Sequence, residues 1–211
     1  MTSRRALKIV VALAVVAGLV FAFVRSARQS RAEPYKVSRA ALGGWRVSIE
    51  APTTPSSPVL ALRGSSALTR DLFKQIFARM MESFVSPAMD GIVLVSRAEL
   101  EGAFEGRADV RALAAVASEV GLDTGELVPR CLGYRRVSSV GGTRQLYFLV
   151  FEAPAFVRFR ERIAAMATPG TFDPAALSPV AAIAASEGAF EGWGPLRADP
   201  ATDCVASITI E

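Results

Sequence analysis

The sequence predicts an α+β protein, in which one N-terminal transmembrane helix is followed by a single two-layer domain. That domain has the ferredoxin-like order β-α-β-β-α-β, with two inserts. Three observations lead to this expectation. Residues Ile9–Val24 (IVVALAVVAGLVFAFV) are sixteen apolar residues without a charge. The stretch Thr69–Phe84 sets Leu72, Phe73, Ile76, Phe77, Met80, Met81 and Phe84 at helical spacing between strand-like runs. The hexamer EGAFEG occurs at Glu101–Gly106 and again at Glu187–Gly192, 86 residues later, and other positions register at the same offset.

Sixteen helical residues cover about 24 Å, a little short of a ~30 Å hydrocarbon core. Arg4, Arg5 and Lys8 precede the run, and Arg25, Arg28 and Arg31 follow it. Their long stems can snorkel to the headgroups and cover the deficit. The same run can also be the core of a cleaved secretory signal, with Ser30-Arg31-Ala32 as a small-x-small site. That site lies eight residues past the apolar run and behind arginines, which favours an uncleaved signal-anchor. The expected organisation is a signal-anchor over 1–24, a basic juxtamembrane linker over 25–44, and an extracytoplasmic domain over 45–211. A densely charged short tail resists crossing a membrane, whereas long following domains translocate largely regardless of charge. The expected location is therefore a single-pass membrane protein with its bulk on the periplasmic side.

Charge divides along the same line. Residues 1–44 hold eight Lys/Arg against Glu33, while residues 45–211 hold sixteen Lys/Arg against nineteen Asp/Glu. The basic excess belongs to the flank, where it suits anionic lipid headgroups, and the domain lacks the basic balance of a nucleic-acid binder. The bilayer is an expected partner and nucleic acid is not. The chain has no histidine, which removes the commonest general base, the commonest transition-metal ligand and every His-containing triad. Cys131 and Cys204 are the only cysteines and cannot build a four-thiolate zinc site. Between them a disulfide in an oxidising compartment and two small buried thiols are both open.

Within the domain, Trp45–Glu50 (WRVSIE) alternates like a short strand, Pro52–Pro58 is a Pro/Ser/Thr loop, and Val59–Arg63 is an apolar strand. The long helix over 69–84 follows, then a buried-type strand at Ile92–Val95. Ser96 to Glu99 matches the S-x-x-E capping box and opens a short helix to about Phe104. A further helix runs from about Ala108 to Val120 and stops at Gly121. Cys131–Ser138 and Thr143–Glu152 flank Gly141-Gly142 as a β-hairpin. Pro154 starts a helix that runs to about Ala167, an Ala-rich helix ends at Ser186, and Val205–Ile210 is the last strand.

At the 86-residue offset Phe73 meets Phe159, Lys74 meets Arg160, Phe77 meets Ile163 and Met80 meets Met166. The reading is a duplicated strand–helix–insert–strand unit. Its central strands are Val59–Arg63 and Thr143–Glu152, with the last strand beside the first. Cys131 and Cys204 then fall on opposite edges with two strands between them, at about 4.8 Å per step, beyond the roughly 7 Å that a bridge spans. The fold and the bridge compete.

Three side-chain groups are candidates for chemistry. Glu101, Glu105, Glu187 and Glu191 form two Gly-flanked carboxylate pairs that pseudo-symmetry can gather around a hard cation such as Ca²⁺. The bland alternative, solvated acids with Phe104 and Phe190 plugged into the core, is favoured. Arg135, Arg136 and Arg144 cluster on the hairpin, where they can hold carboxylates, phosphates or a partner surface, although a solubilising face balanced by acids such as Glu152 is favoured. Arg158, Arg160 and Arg162 read as a solubilising helix face. No phosphate loop, nucleophile elbow or zinc motif is present, and no cofactor or catalytic residue is implied. The expected role is a non-catalytic, membrane-anchored accessory or assembly subunit of an envelope or membrane complex, acting through protein–protein contacts. The alternative is a membrane-tethered sensor or binding module for a small ligand or cation.

Overall fold

The computed structural model describes residues 15–22, 33–80, 82–87, 91–139, 142–186 and 196–211. The chain divides into two compact units, Met1–Glu33 and Pro34–Glu211. In the first, residues 15–22 are helical and exposed. The rest of the expected span Ile9–Val24, with Arg4, Arg5, Lys8, Arg25, Arg28 and Arg31, lies outside the described residues. Among the described residues no helix is long and apolar enough to cross a membrane. The expectation of a single-pass membrane protein is corrected accordingly.

The second unit is built on one eight-stranded mixed sheet. Its strands are β1 (Tyr35–Val37), β2 (Arg46–Ile49), β3 (Pro58–Arg63), β4 (Gly91–Ser96), β5 (Val128–Ser139), β6 (Gly142–Glu152), β7 (Val180–Ala185) and β8 (Cys204–Ile210). Their order across the sheet is β1-β8-β5-β6-β7-β4-β3-β2. Only β1 and β8 pair in parallel; the other neighbours are antiparallel. The helices are α1 (Ser66–Met80), α2 (Arg97–Ala103), α3 (Val110–Glu119), α4 (Pro154–Ala164) and the single turn α5 (Pro200–Asp203), with a 3-10 turn at Arg39–Leu42. Tyr35–Val37, inside the stretch expected to be linker, is thus part of the sheet.

This topology corrects the ferredoxin-like expectation. The last strand, β8, lies beside β5 instead of β3, and β7 and β4 separate β6 from β3. Two consecutive runs share one element order: β2-β3-α1-β4 and β5-β6-α4-β7. They meet antiparallel where β4 faces β7 at Ile92↔Ala181. The segment expected to be an Ala-rich helix is instead β7. Alanine favours helix in isolation, but this segment pairs along its length with β6 on one side, and on the other with β4 at Ile92↔Ala181 and with Val85 at Ala185.

Both faces of β6 are buried, which is why its sequence reads as nearly continuous apolar residues. Tyr147, Leu149 and Phe151 enter the main core with the helices, while Leu146, Phe148 and Val150 enter a smaller cluster with Cys131, Val180 and Ala185. Laid flat, eight strands span about 34 Å. The two edge strands β1 and β2 are nevertheless joined by residues 38–45, whose 3-10 turn limits their reach to under about 30 Å. The sheet therefore coils, bringing Trp45 within 5.5 Å of Phe151 (ring centroids, edge to face).

Arg160 is not on a solvated face. At 1% exposure it is the largest fully buried side chain. It donates to Glu99 Oε1 (2.7 Å), Leu94 O (3.1 Å), Asp173 O (2.9 Å) and Pro174 O (3.2 Å), and lies 4.3 Å from the Phe172 ring centroid. The other oxygen of Glu99 closes the capping box by accepting from Ser96 N. One ion pair thus ties α4, the end of β4, the start of α2 and the 172–174 segment together.

Candidate functional site

Among the described residues the sequence-predicted groups lie in separate places. Glu101 pairs with Arg97 on the surface of α2 (2.7 Å), and Glu105 is exposed in the turn after it. Glu187 and Glu191 lie outside the described residues. Among the described residues no three His, Cys, Asp or Glu side chains are grouped so as to hold a metal ion. The hairpin arginines divide between two faces: register sets Arg135 opposite Leu146, Arg136 opposite Gln145 and Arg144 opposite Val137. Alternation then puts Arg135 and Arg144 on one face of the hairpin and Arg136 on the other. Arg135 is engaged internally, donating to Asp203 Oδ2 (2.7 Å) and to Arg197 O (2.8 Å).

Cys131 and Cys204 form a disulfide, with Cα atoms 5.7 Å apart. The argument against the bridge fails because β8 lies directly against β5, with Gly133 opposite Cys204 and Cys131 opposite Ser207. Together with Arg135–Asp203, the bridge clamps the C-terminal strand to the hairpin. Along α4, a groove of about 320 Å³ is lined mainly by Phe156, Val157, Leu177 and Pro179, with Glu161 and Arg197 at its margin.

The feature that sequence reading missed is the difference between the two ends of the sheet. At β1 the outer edge is closed by side chains. Gln75 Oε1 accepts from Lys36 N (2.9 Å), Gln75 Nε2 donates to Lys36 O (2.8 Å), and Arg79 donates to Pro34 O (3.0 Å). These contacts supply the main-chain partners that another strand would otherwise provide. Tyr35, inside this edge, is buried. Among the described residues its hydroxyl has no hydrogen-bond partner of good geometry, and burial raises its pKa against the opposing charge and polar approach of the Arg79 guanidinium, 4.0 Å from the ring centroid.

At β2, against which α3 packs, no further strand is paired among the described residues. The strand is firmly placed: Gly44 turns the chain with φ of 74°, and Trp45 then donates its indole N–H to Leu42 O (2.7 Å). The indole packs so closely on Gly64 that a Cβ there would lie 2.7 Å from the ring. At the far end Glu50 N donates to Val59 O (3.0 Å), and the Arg63 guanidinium takes both Glu50 oxygens, Nε–Oε1 at 2.7 Å and Nη2–Oε2 at 2.6 Å. That fork, more than the opposing cost of burial, holds the Glu50 carboxyl below its ordinary pKa. In an antiparallel pair, residues alternate between bonding the neighbour and pointing away. Because Glu50 bonds β3, Ser48 and Arg46 do so too, and the N–H and C=O groups of Val47 and Ile49 point outward. Arg46 and Ile49 are exposed, Ile49 by 50%. Among the described residues no strand lies beyond β2.

Compared with protein-family models, curated proteins and solved structures, the chain matches none.

Proposed function

We propose that this protein is a non-catalytic module that works by contact with another polypeptide, received as an added strand on the outer edge of β2. One observation carries the reading: a rigidly anchored edge strand with outward main-chain groups, in a sheet whose opposite edge is closed by Gln75 and Arg79. Strand addition draws affinity from main-chain hydrogen bonds and specificity from alternate side chains. The reactive side chains support a structural bias. Among the described residues the least exposed acids, Glu50, Glu99 and Asp203, are each paired with an arginine (Arg63, Arg160 and Arg135), and both thiols are oxidised. Lys74, the sole lysine of residues 45–211, is exposed on α1.

The test is affinity capture with the full chain, run against a Val47→Pro variant. Proline removes an outward N–H that β3 does not use, and edge strands tolerate it. The proposal expects a partner polypeptide, including a second copy, that the wild type retains and the variant loses at unchanged circular dichroism. Identical retention by both proteins contradicts it.

A further inference from the structure

The two runs of the sheet give β2 and β5 corresponding places, each the outermost strand of its own run. On β5 the outer edge carries an antiparallel strand, β8, whereas on β2 the same place is unfilled among the described residues. We propose that the neighbour of β2 is the β2 strand of a second copy of this chain, paired antiparallel about a two-fold axis at Ser48. This rests on the contact reading above and names the partner.

Complementarity within β2 itself selects that occupant. The outward main-chain groups belong to Val47 and Ile49, so hydrogen-bonded pairs form only between such residues. With Ser48 opposite the partner's Ser48, Val47 faces the partner's Ile49 and Ile49 faces the partner's Val47. Two such pairs exchange four main-chain hydrogen bonds. Half-exposed Ile49 gains an apolar neighbour. On the other face, exposed Arg46 comes opposite the partner's Glu50, once on each side of the axis. Glu50 is held in its charged form by the Arg63 fork, one lone pair on each oxygen, and by the Ser48 side chain, and of the roughly four acceptor sites of a carboxylate this leaves one for a second guanidinium. Sliding the register by two residues sets Arg46 against Ser48 in one direction and past the end of the strand in the other. Only the register centred on Ser48 pairs opposite charges. An interface of this kind is isologous and closes after two copies.

The experiment measures the mass of the full chain by light scattering across a concentration series, with differently tagged copies mixed to detect exchange. The wild type is expected to form a dimer. Val47→Pro is expected to be monomeric at an unchanged urea midpoint, and Arg46→Glu, which faces the partner's Glu50, to weaken the dimer at least tenfold. Register is read by cross-linking. A Ser48→Cys pair at the axis brings Cα atoms to about 4.5 Å, within bridging range, so this variant oxidises to a covalent dimer while Ile49→Cys does not. A monomeric wild type overturns the inference, as does a dimer that Val47→Pro leaves intact. If the chain is monomeric yet captures a different protein in a Val47-dependent manner, the contact reading stands and the second copy is the wrong occupant. If Val47→Pro changes neither mass nor capture, both fall.

Discussion

Removing the Arg160 guanidinium is the sharpest perturbation of the folded unit that contains β2. Arg160→Met keeps most of the buried stem and deletes four donated hydrogen bonds, to Glu99, Leu94, Asp173 and Pro174. Three main-chain carbonyls and one carboxylate oxygen, all bonded in the native structure, then lose that partner. Glu99 is 14% exposed and keeps its cap to Ser96, but loses its counter-charge. Breaking one side of a buried ion pair costs about 3–5 kcal/mol, because the remaining charge stays desolvated. In a unit of this size each 1 kcal/mol moves Tm by roughly 2–4 °C, so the expected fall is roughly 6–20 °C. Urea titration followed by circular dichroism measures it as a lower midpoint at unchanged slope. Adding Glu99→Gln to Arg160→Met should cost about 1–3 kcal/mol less than the two single losses together, since the two side chains share one interaction. A single-variant loss under about 1 kcal/mol would refute the claim that this pair organises α4, α2 and β4.

Three further outcomes follow from the geometry. The Cys131–Cys204 bridge closes a loop with a sequence separation of 73, for which chain entropy gives about 4 kcal/mol; the double variant Cys131→Ser/Cys204→Ser should lose about 3–4 kcal/mol by urea titration. The folded Glu50 carboxyl is depressed below its ordinary 4.5, so its contribution is present above that value and lost as pH falls toward the folded pKa. Unfolding free energy measured from pH 6 to pH 3 should fall less steeply in Arg63→Met than in the wild type. Tyr35→Phe removes a buried hydroxyl that has no well-formed hydrogen bond among the described residues and should leave stability unchanged or raise it by up to about 1 kcal/mol in thermal melts.

Local chemistry was readable in the sequence where it is decided within a few residues. The capping box at Ser96–Glu99 and Pro154 in the first turn of α4 rest on cap chemistry alone, and the pairing of β5 with β6 follows from two adjacent strand-like runs, although Gly142 belongs to β6 and not to the turn. Long-range order was not. The Ala-rich run 181–185 became β7 because two strands bracket it, which no local propensity reports. Phe77, expected to be buried by its spacing, is 51% exposed and stacks on Phe73 at 6.4 Å. Arg160 looked like one of three surface arginines because only the tertiary fold brings Glu99 and the 172–174 segment over it. The disulfide depends on strand order, since only the placement of β8 on β5 puts the two cysteines on neighbouring strands. The open edge of β2 was likewise beyond reach, since β2 is an edge only after all eight strands are ordered.

Amide hydrogen exchange at Val47, Ser48 and Ile49, followed over a range of protein concentration, reads the pairing of the β2 edge residue by residue. The Ser48 amide, bonded inward to β3, should be protected at every concentration. Those of Val47 and Ile49 should exchange freely in dilute protein and become protected as copies pair. Protection of Val47 and Ile49 that ignores concentration, or free exchange of both at the highest concentration, would contradict the account.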